Sequence, residues 1–284
     1  MVDAGSMREP PAKTSYLFDR GQADQERLIR SSEALRAFTS EGCLRAGLRP
    51  GGRAIDIGCG PLGALIALAE LVGSDGRVAG LDSSGEALAL AHAILTQRGH
   101  TTVTLVQGEL DTVLTAQVCP PGPFDLAYVR RFLVHQRDPS DSLSRIVRLL
   151  RPGGRIVAHE IPPGSGYPAL TPRVPALQRV DELVHAGVKA RGGAYDAAHR
   201  FAEFCRHTGL RLLGQRGFLP AVEPVALLET FQAVLRSLGP GMIAQGITSQ
   251  GEMDDLLGEL DSAKGAQYTS SFANLYIEMI AEVA

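Results

Sequence analysis

Apolar residues in this chain switch between two spacings, and the switches outline the fold. Over residues 24–46, Leu28, Leu35 and Phe38 recur at helical intervals until Gly47 and Pro50 end the pattern, which predicts one helix ahead of the main body. Five short apolar runs follow, at 53–57, 102–107, 124–129, 155–160 and, between the first two, 77–82; each has the length and composition of a buried strand. Between them lie helical patterns at 63–71, 84–98 and 139–150. Ser84 has the chemistry of an N-cap for its helix, with Ala87, Leu88, Ala91, Ile94 and Leu95 on the inward face. Strands alternating with helices of this length predict right-handed crossovers and a mostly parallel sheet.

After Glu160 the rhythm breaks. Pro162, Pro163, Pro168, Pro172 and Pro175, with Gly164 and Gly166, predict an irregular surface excursion. Helical patterns at 177–188, 196–208, 224–238 and 251–264 surround a strand-like run at 210–218, and alternating strand formers close the chain over 271–283. The organisation predicted is a flexible leader (1–15), an N-terminal helical segment (16–50) and one domain (51–284). Long segments inside a compact domain are often functional, so the insertions at about 161–196 and 219–266 are expected to form a lid over the ligand face of the sheet.

The chemistry concentrates where the first strand ends, in Asp56-Ile57-Gly58-Cys59-Gly60-Pro61-Leu62-Gly63. Gly58 and Gly60 let the backbone approach a ligand with no Cβ in the way, and the following apolar helix directs its free amides to the same spot. A glycine turn of this spacing also serves dinucleotide enzymes. Asp56 separates the two cases, because a carboxylate there repels a pyrophosphate and attracts an ammonium group.

Composition narrows the classes further. The 284 residues can bury a core without disulfides, and Cys43, Cys59, Cys119 and Cys205 show neither a Cys-x-x-Cys pair nor a histidine spacing that suggests a metal. The formal charge is −3, only Lys13, Lys189 and Lys264 are lysines, and there is no tryptophan, so neither a basic footprint nor a stacking platform for nucleic acid is expected. With no signal-peptide core and no bilayer-length apolar run, a cytoplasmic protein without membrane attachment is expected, its partner a small molecule; a homo-oligomer is left open.

Taken in order, five segments resemble those of class I S-adenosylmethionine (SAM)-dependent methyltransferases. They are Asp56-Ile57-Gly58-Cys59-Gly60, Gly80-Leu81-Asp82-Ser83-Ser84, Gln107-Gly108-Glu109-Leu110, Phe124-Asp125-Leu126-Ala127-Tyr128-Val129-Arg130 and Leu150-Arg151-Pro152-Gly153-Gly154-Arg155. The similarity covers about residues 46–218. It implies a doubly wound, mostly parallel, seven-stranded α/β sheet, the Rossmann-like methyltransferase fold, with an N-terminal helical segment and a helical lid. The Tyr16 and Glu26-Arg27-Leu28 region and the long lid further resemble bacterial enzymes acting on small metabolites and natural products.

The resemblance also implies roles. Asp82 is placed to accept the ribose hydroxyl protons beside Ser83, Glu109 to meet the adenine amino group and the Leu110 amide a ring nitrogen. Asp56 would act through the turn formed by Gly58, Cys59 and Gly60, near the methionine ammonium group, and Arg130 would reach the methionine carboxylate. Tyr16 and Arg27 would close the site from the N-terminal segment.

Methyl transfer needs alignment and exclusion of water more than a general base. His135, just beyond the fourth strand, is the first candidate to contact the acceptor, and His159 with Glu160 at the end of the fifth strand is the second. His92, His100, His185, His199 and His207 read as solvated. Tyr167, Leu170, Leu177, Val180, Leu183, Val184, Phe231 and Leu235 give the lid an apolar content suited to a hydrophobic acceptor. A nicotinamide-dependent dehydrogenase would share Gly58, Gly60, Gly63 and Asp82 but has no use for Asp56 or the Arg-Pro-Gly-Gly turn. A fold that binds SAM while templating another reaction remains the alternative, and no Asn-Pro-Pro-Tyr-type motif follows Asp125 to suggest a protein or RNA methyltransferase.

Overall fold

The computed structural model describes residues 21–110, 123–164 and 168–284. The helical pattern over 24–46 forms two helices rather than one, α1 (Gln22–Ala34) and α2 (Arg36–Arg45). The interruption falls at Leu35, at φ −96° and ψ 0°, which is buried in a small cluster with Phe218 and Tyr276.

The strands β1 (Arg53–Ile57), β2 (Arg77–Asp82), β3 (Val103–Gln107), β4 (Phe124–Arg130) and β5 (Leu150–Glu160) then alternate with α3 (Leu65–Val72), α4 (Gly85–Gln97) and α5 (Pro139–Val147). Ser84 caps α4 as expected, its hydroxyl accepting from the Ala87 amide at 3.2 Å. Asp138 does the same for α5, with Pro139 in the first turn. Strand β5 starts earlier than the periodicity suggests, because Leu150 already pairs with Phe124 across an irregularity in the register.

Beyond β5 come β6 (Ala169–Thr171), α6 (Pro175–Ala190), α7 (Ala197–Thr208), β7 (Leu210–Phe218), α8 (Pro224–Ala244), α9 (Gln250–Ala263), β8 (Ser270–Phe272) and β9 (Tyr276–Val283). Two expectations change here. The segment predicted to be irregular contains β6, and the final run is two strands, since β8 leaves the main sheet to pair antiparallel with β6. Helix α8 also continues past residue 238 through Pro240.

The main sheet has seven strands in the order β3-β2-β1-β4-β5-β9-β7. β1 to β5 are parallel, and β9 runs antiparallel between β5 and β7. The order reverses between β1 and β4, and in open α/β sheets ligands bind at the carboxyl ends beside that reversal. Alternation along the strands sends Ile55, Ile57, Ala127 and Val129 into one core with α5 and α7, and Ala54, Leu126 and Tyr128 into the other with α2, α3 and α4. A third core is separate from the sheet: Leu177, Val180, Leu228, Leu235, Met242 and Leu260 join α6, α8 and α9 to one another.

One polar network crosses the second core. The Tyr128 hydroxyl lies 3.0 Å from His159 Nδ1 and 3.1 Å from Thr39 Oγ1, and His159 Nε2 lies 3.1 Å from Glu278 Oε2. Glu278 also accepts from Arg45 and Arg216. His159 is therefore committed on both ring nitrogens and fully buried, which removes it from the candidate acceptor contacts.

Candidate active site

The turn after β1 is held from three directions. Leu81 O accepts from the Gly58 and Cys59 amides at 2.8 and 3.1 Å, which ties the turn to β2. Asp82 spans two turns, its Oδ2 accepting from Gly60 N and its Oδ1 from Ser84 N, both at 2.8 Å. Asp56 Oδ2 accepts from Ala64 N at 2.6 Å and so fixes the approach to α3. Gly63, at φ +49°, sits where a Cβ would overlap that same Asp56 oxygen, so this glycine is dictated by space as well as by its left-handed conformation.

Burial pushes the Asp56 carboxyl up to about 7, against the opposing pull of the Ala64 amide and Arg130. A cationic ligand nearby would restore its charge. Arg130 ends β4 on the opposite wall. Its Nη2 donates to Ser32 Oγ of α1 at 2.7 Å, while Nη1 is buried with no hydrogen-bond partner among the described residues. A buried guanidinium nitrogen in that state calls for an anionic or carbonyl oxygen.

These elements enclose a cavity of about 180 Å³. Asp56, Gly58, Cys59, Gly60, Asp82, Ser83, Glu109, Leu110, Arg130 and His135, drawn from four strand ends, all line it. Tyr16 lies outside the described residues, as do Asp111 and Tyr167. Helix α1 supplies the roof through Leu28, Ser31 and Ser32 and a buried ion pair in which Arg27 Nε lies 3.0 Å from Asp24 Oδ1. Of this roof only Arg27 was anticipated. The Asp24-x-x-Arg27 spacing was a readable signal, but the same spacing is common on solvated helix faces.

A second cavity of about 190 Å³ lies beside the first and shares Arg27, Ser31, Arg131 and His135 with it. Val134, Val184, Leu227, Phe231 and Val234 make its wall largely apolar, and Glu160 lines it where β5 ends. His185, which reads as solvated in the sequence, also lines it and lies 3.2 Å from Asp181 Oδ2. At the junction, Arg131 holds φ +50°, a strained conformation for a side chain of its size, and its backbone N–H donates a hydrogen bond to His159 O at 2.9 Å. His135 follows in a 3₁₀ turn (Leu133–His135). Burial, then Arg131 and Arg27, lower its pKa to about 3, so the imidazole is neutral at ordinary pH.

A family model described as a methyltransferase domain matches residues 48–190, half of the chain. The chain belongs to that family, and its sheet is the Rossmann-like sheet of class I SAM-dependent methyltransferases. It is 35% identical over 185 residues to an uncharacterised 37.1 kDa protein in transposon Tn4556 of Streptomyces fradiae, covering 64% of this chain and 49% of that one. It is 32% identical over 124 residues to a demethylmenaquinone methyltransferase of Anoxybacillus flavithermus, covering 44% and 51%. The chain thus spans about half the length of these curated relatives. Among solved structures, it resembles the [4+2]-cyclase SpnF with a TM-score of 0.54 at 17% identity, covering 97% of this chain and 99% of that one. The TM-score is also 0.54, at 19% identity, for phosphoethanolamine N-methyltransferase 2 of Haemonchus contortus, with 93% and 58% covered. At these identities the likeness is one of fold. Among the described residues, no helix is long and apolar enough to cross a membrane.

Proposed function

We propose that this protein transfers a methyl group from SAM to a small, largely hydrophobic acceptor, with SAM in the first cavity and the acceptor in the second. The observation that carries the reading is the pairing of the cavities: one ringed by backbone amides, carboxylates and an arginine, the other mostly apolar, the two meeting at Arg131 and His135. The residues present fit SAM. Arg130 Nη1 is an orphaned buried donor for the methionine carboxylate, and Asp56, more than one bond away through the turn, favours the ammonium group. Asp82 spends one lone pair of each oxygen on Gly60 and Ser84 and keeps others for ribose hydroxyls. Glu109 and Leu110 would take the adenine edge.

When bound, SAM supplies a methyl carbon made electrophilic by the neighbouring sulfonium. The protein's task is then to orient the acceptor and keep water out. α1 roofs both cavities, and residues 161–196 and 219–266, which contribute α6 and α8 to the second cavity, serve as the lid on the acceptor side. His135, neutral and at the junction, suits a contact that positions the acceptor by a hydrogen bond.

Incubating the protein with methyl-labelled SAM and fractionated bacterial metabolite extracts tests the reading. Label should appear in an apolar, low-molecular-weight product as S-adenosylhomocysteine accumulates. Tight S-adenosylhomocysteine binding without labelled product from any fraction would instead favour the reading in which the fold binds SAM and templates a different reaction.

A further inference from the structure

Resting on that reading, we propose that Glu160 receives the proton of the acceptor, and hence that the methylated atom is a proton-bearing oxygen or nitrogen presented to Glu160 Oε2.

The two carboxylate oxygens of Glu160 live differently. Oε1 accepts from the amides of Phe132 and Leu133 at 3.0 and 2.8 Å, which locks the carboxylate plane and holds the turn that carries His135. Oε2 is buried and has no hydrogen-bond partner among the described residues, although the residue lines the second cavity. Both oxygens of Asp82, by contrast, accept from backbone amides, those of Gly60 and Ser84. Leaving a carboxylate oxygen buried and unpaired is costly, and a ligand O–H or N–H in the cavity removes that cost. Burial, opposed by the Leu133 amide, Arg131 and the Phe132 and Val134 amides, also holds this carboxyl at about 7, where a base is half ready at neutral pH.

The charged neighbours are few. Arg131 and His135 face the cavity from the β4 side, and Arg27 and Arg30 face it from α1. Opposite them, α6 contributes Asp181 and His185, which pair with each other, and β9 contributes Tyr276. In the step itself, a lone pair on the acceptor heteroatom forms the bond to the methyl carbon as the carbon–sulfur bond breaks and its electron pair stays on sulfur. The heteroatom's proton passes to Glu160 Oε2 and leaves to water with the product. A sulfonium and a carboxylate thereby become a thioether and a carboxylic acid, so charge balances.

Two probes of nearly equal apolar size, 2-naphthol and 2-methoxynaphthalene, separate an O–H from its methyl ether. Their affinities are measured on the complex with S-adenosylhomocysteine, for the unmodified protein and for Glu160→Gln, which keeps an oxygen for the Phe132 and Leu133 amides. The expectation is that the unmodified protein prefers naphthol by about tenfold, the equivalent of one hydrogen bond to a charged group, at a pH above 7. That preference should collapse below pH 7, where Glu160 is protonated, and at every pH in Glu160→Gln. Equal binding of both probes, no binding of naphthol, or a preference that ignores pH and survives Glu160→Gln overturns the proposal. The pH series on the unmodified protein decides the matter even if the variant does not fold. Failure of S-adenosylhomocysteine to bind at all would strike the underlying functional reading instead.

Discussion

The two cavities that meet at His135 are built by opposite means. The first is made of backbone: turns at the ends of β1, β2 and β4, each fixed by a bond such as Asp82 to Gly60 or Asp56 to Ala64. The second is made of side-chain volume from α1, α6 and α8, elements held by a core of their own. A backbone site tolerates little change, because one lost bond moves several ligand contacts together. A site made of side-chain volume can be reshaped residue by residue. The donor half should therefore be brittle and the acceptor half adaptable.

The sharpest way to break this contrast is Asp82→Ala, which removes the brace between two turns as well as the ribose contact. S-adenosylhomocysteine should bind about 100-fold more weakly or worse by calorimetry, since two charge-assisted hydrogen bonds are lost at once. Arg130→Ala should weaken the same ligand by about tenfold or more, yet leave adenosine, which has no carboxylate, unaffected. Equal losses for both ligands would move Arg130 away from the methionine end.

The unliganded protein should also respond to pH. Asp56 and Glu160 are raised from 3.8 and 4.5 to about 7 by burial, so the folded chain holds their protons more tightly than the unfolded chain does. Their contribution to stability is complete below those ordinary values and is lost as pH rises through about 7, a change on the order of a few kcal/mol. Glu278 works in the other direction. Burial alone would raise it, but the bonds from His159 and Arg45 outweigh burial and hold it near 2, so its contribution is lost as pH falls from 4.5 toward 2. Thermal melts should show the alkaline decline shrinking in Asp56→Asn. The smallest effect on the donor half belongs to Thr230→Trp, which fills the second cavity. It should leave S-adenosylhomocysteine affinity within about twofold while abolishing label transfer, because the two sites share few residues.

The same contrast explains what could be read from the sequence. The five ordered segments are legible because glycine turns, strand ends and their carboxylates depend on neighbours a few positions away, and the fold brings parts of four of them to the lining of the first cavity. The interruption at Leu35 was not legible, since the residue keeps a right-handed helical backbone and its burial against Phe218 and Tyr276 comes from distant strands. Nor was the role of Ser32, an ordinary helix serine until Arg130 is folded against it. His185 looked solvated because only tertiary packing turns that face of α6 toward a cavity. His159 and Glu160 are adjacent in the sequence and looked alike as candidates, but alternation along β5 sends one into the Tyr128–Glu278 network and the other to the second cavity.

Calorimetric titration of the unliganded protein with S-adenosylhomocysteine tests the central claim most directly. Saturable binding to one site per chain, with no heat from NADH under the same conditions, is the result this account predicts. No uptake of S-adenosylhomocysteine, or binding of NADH in its place, would contradict it.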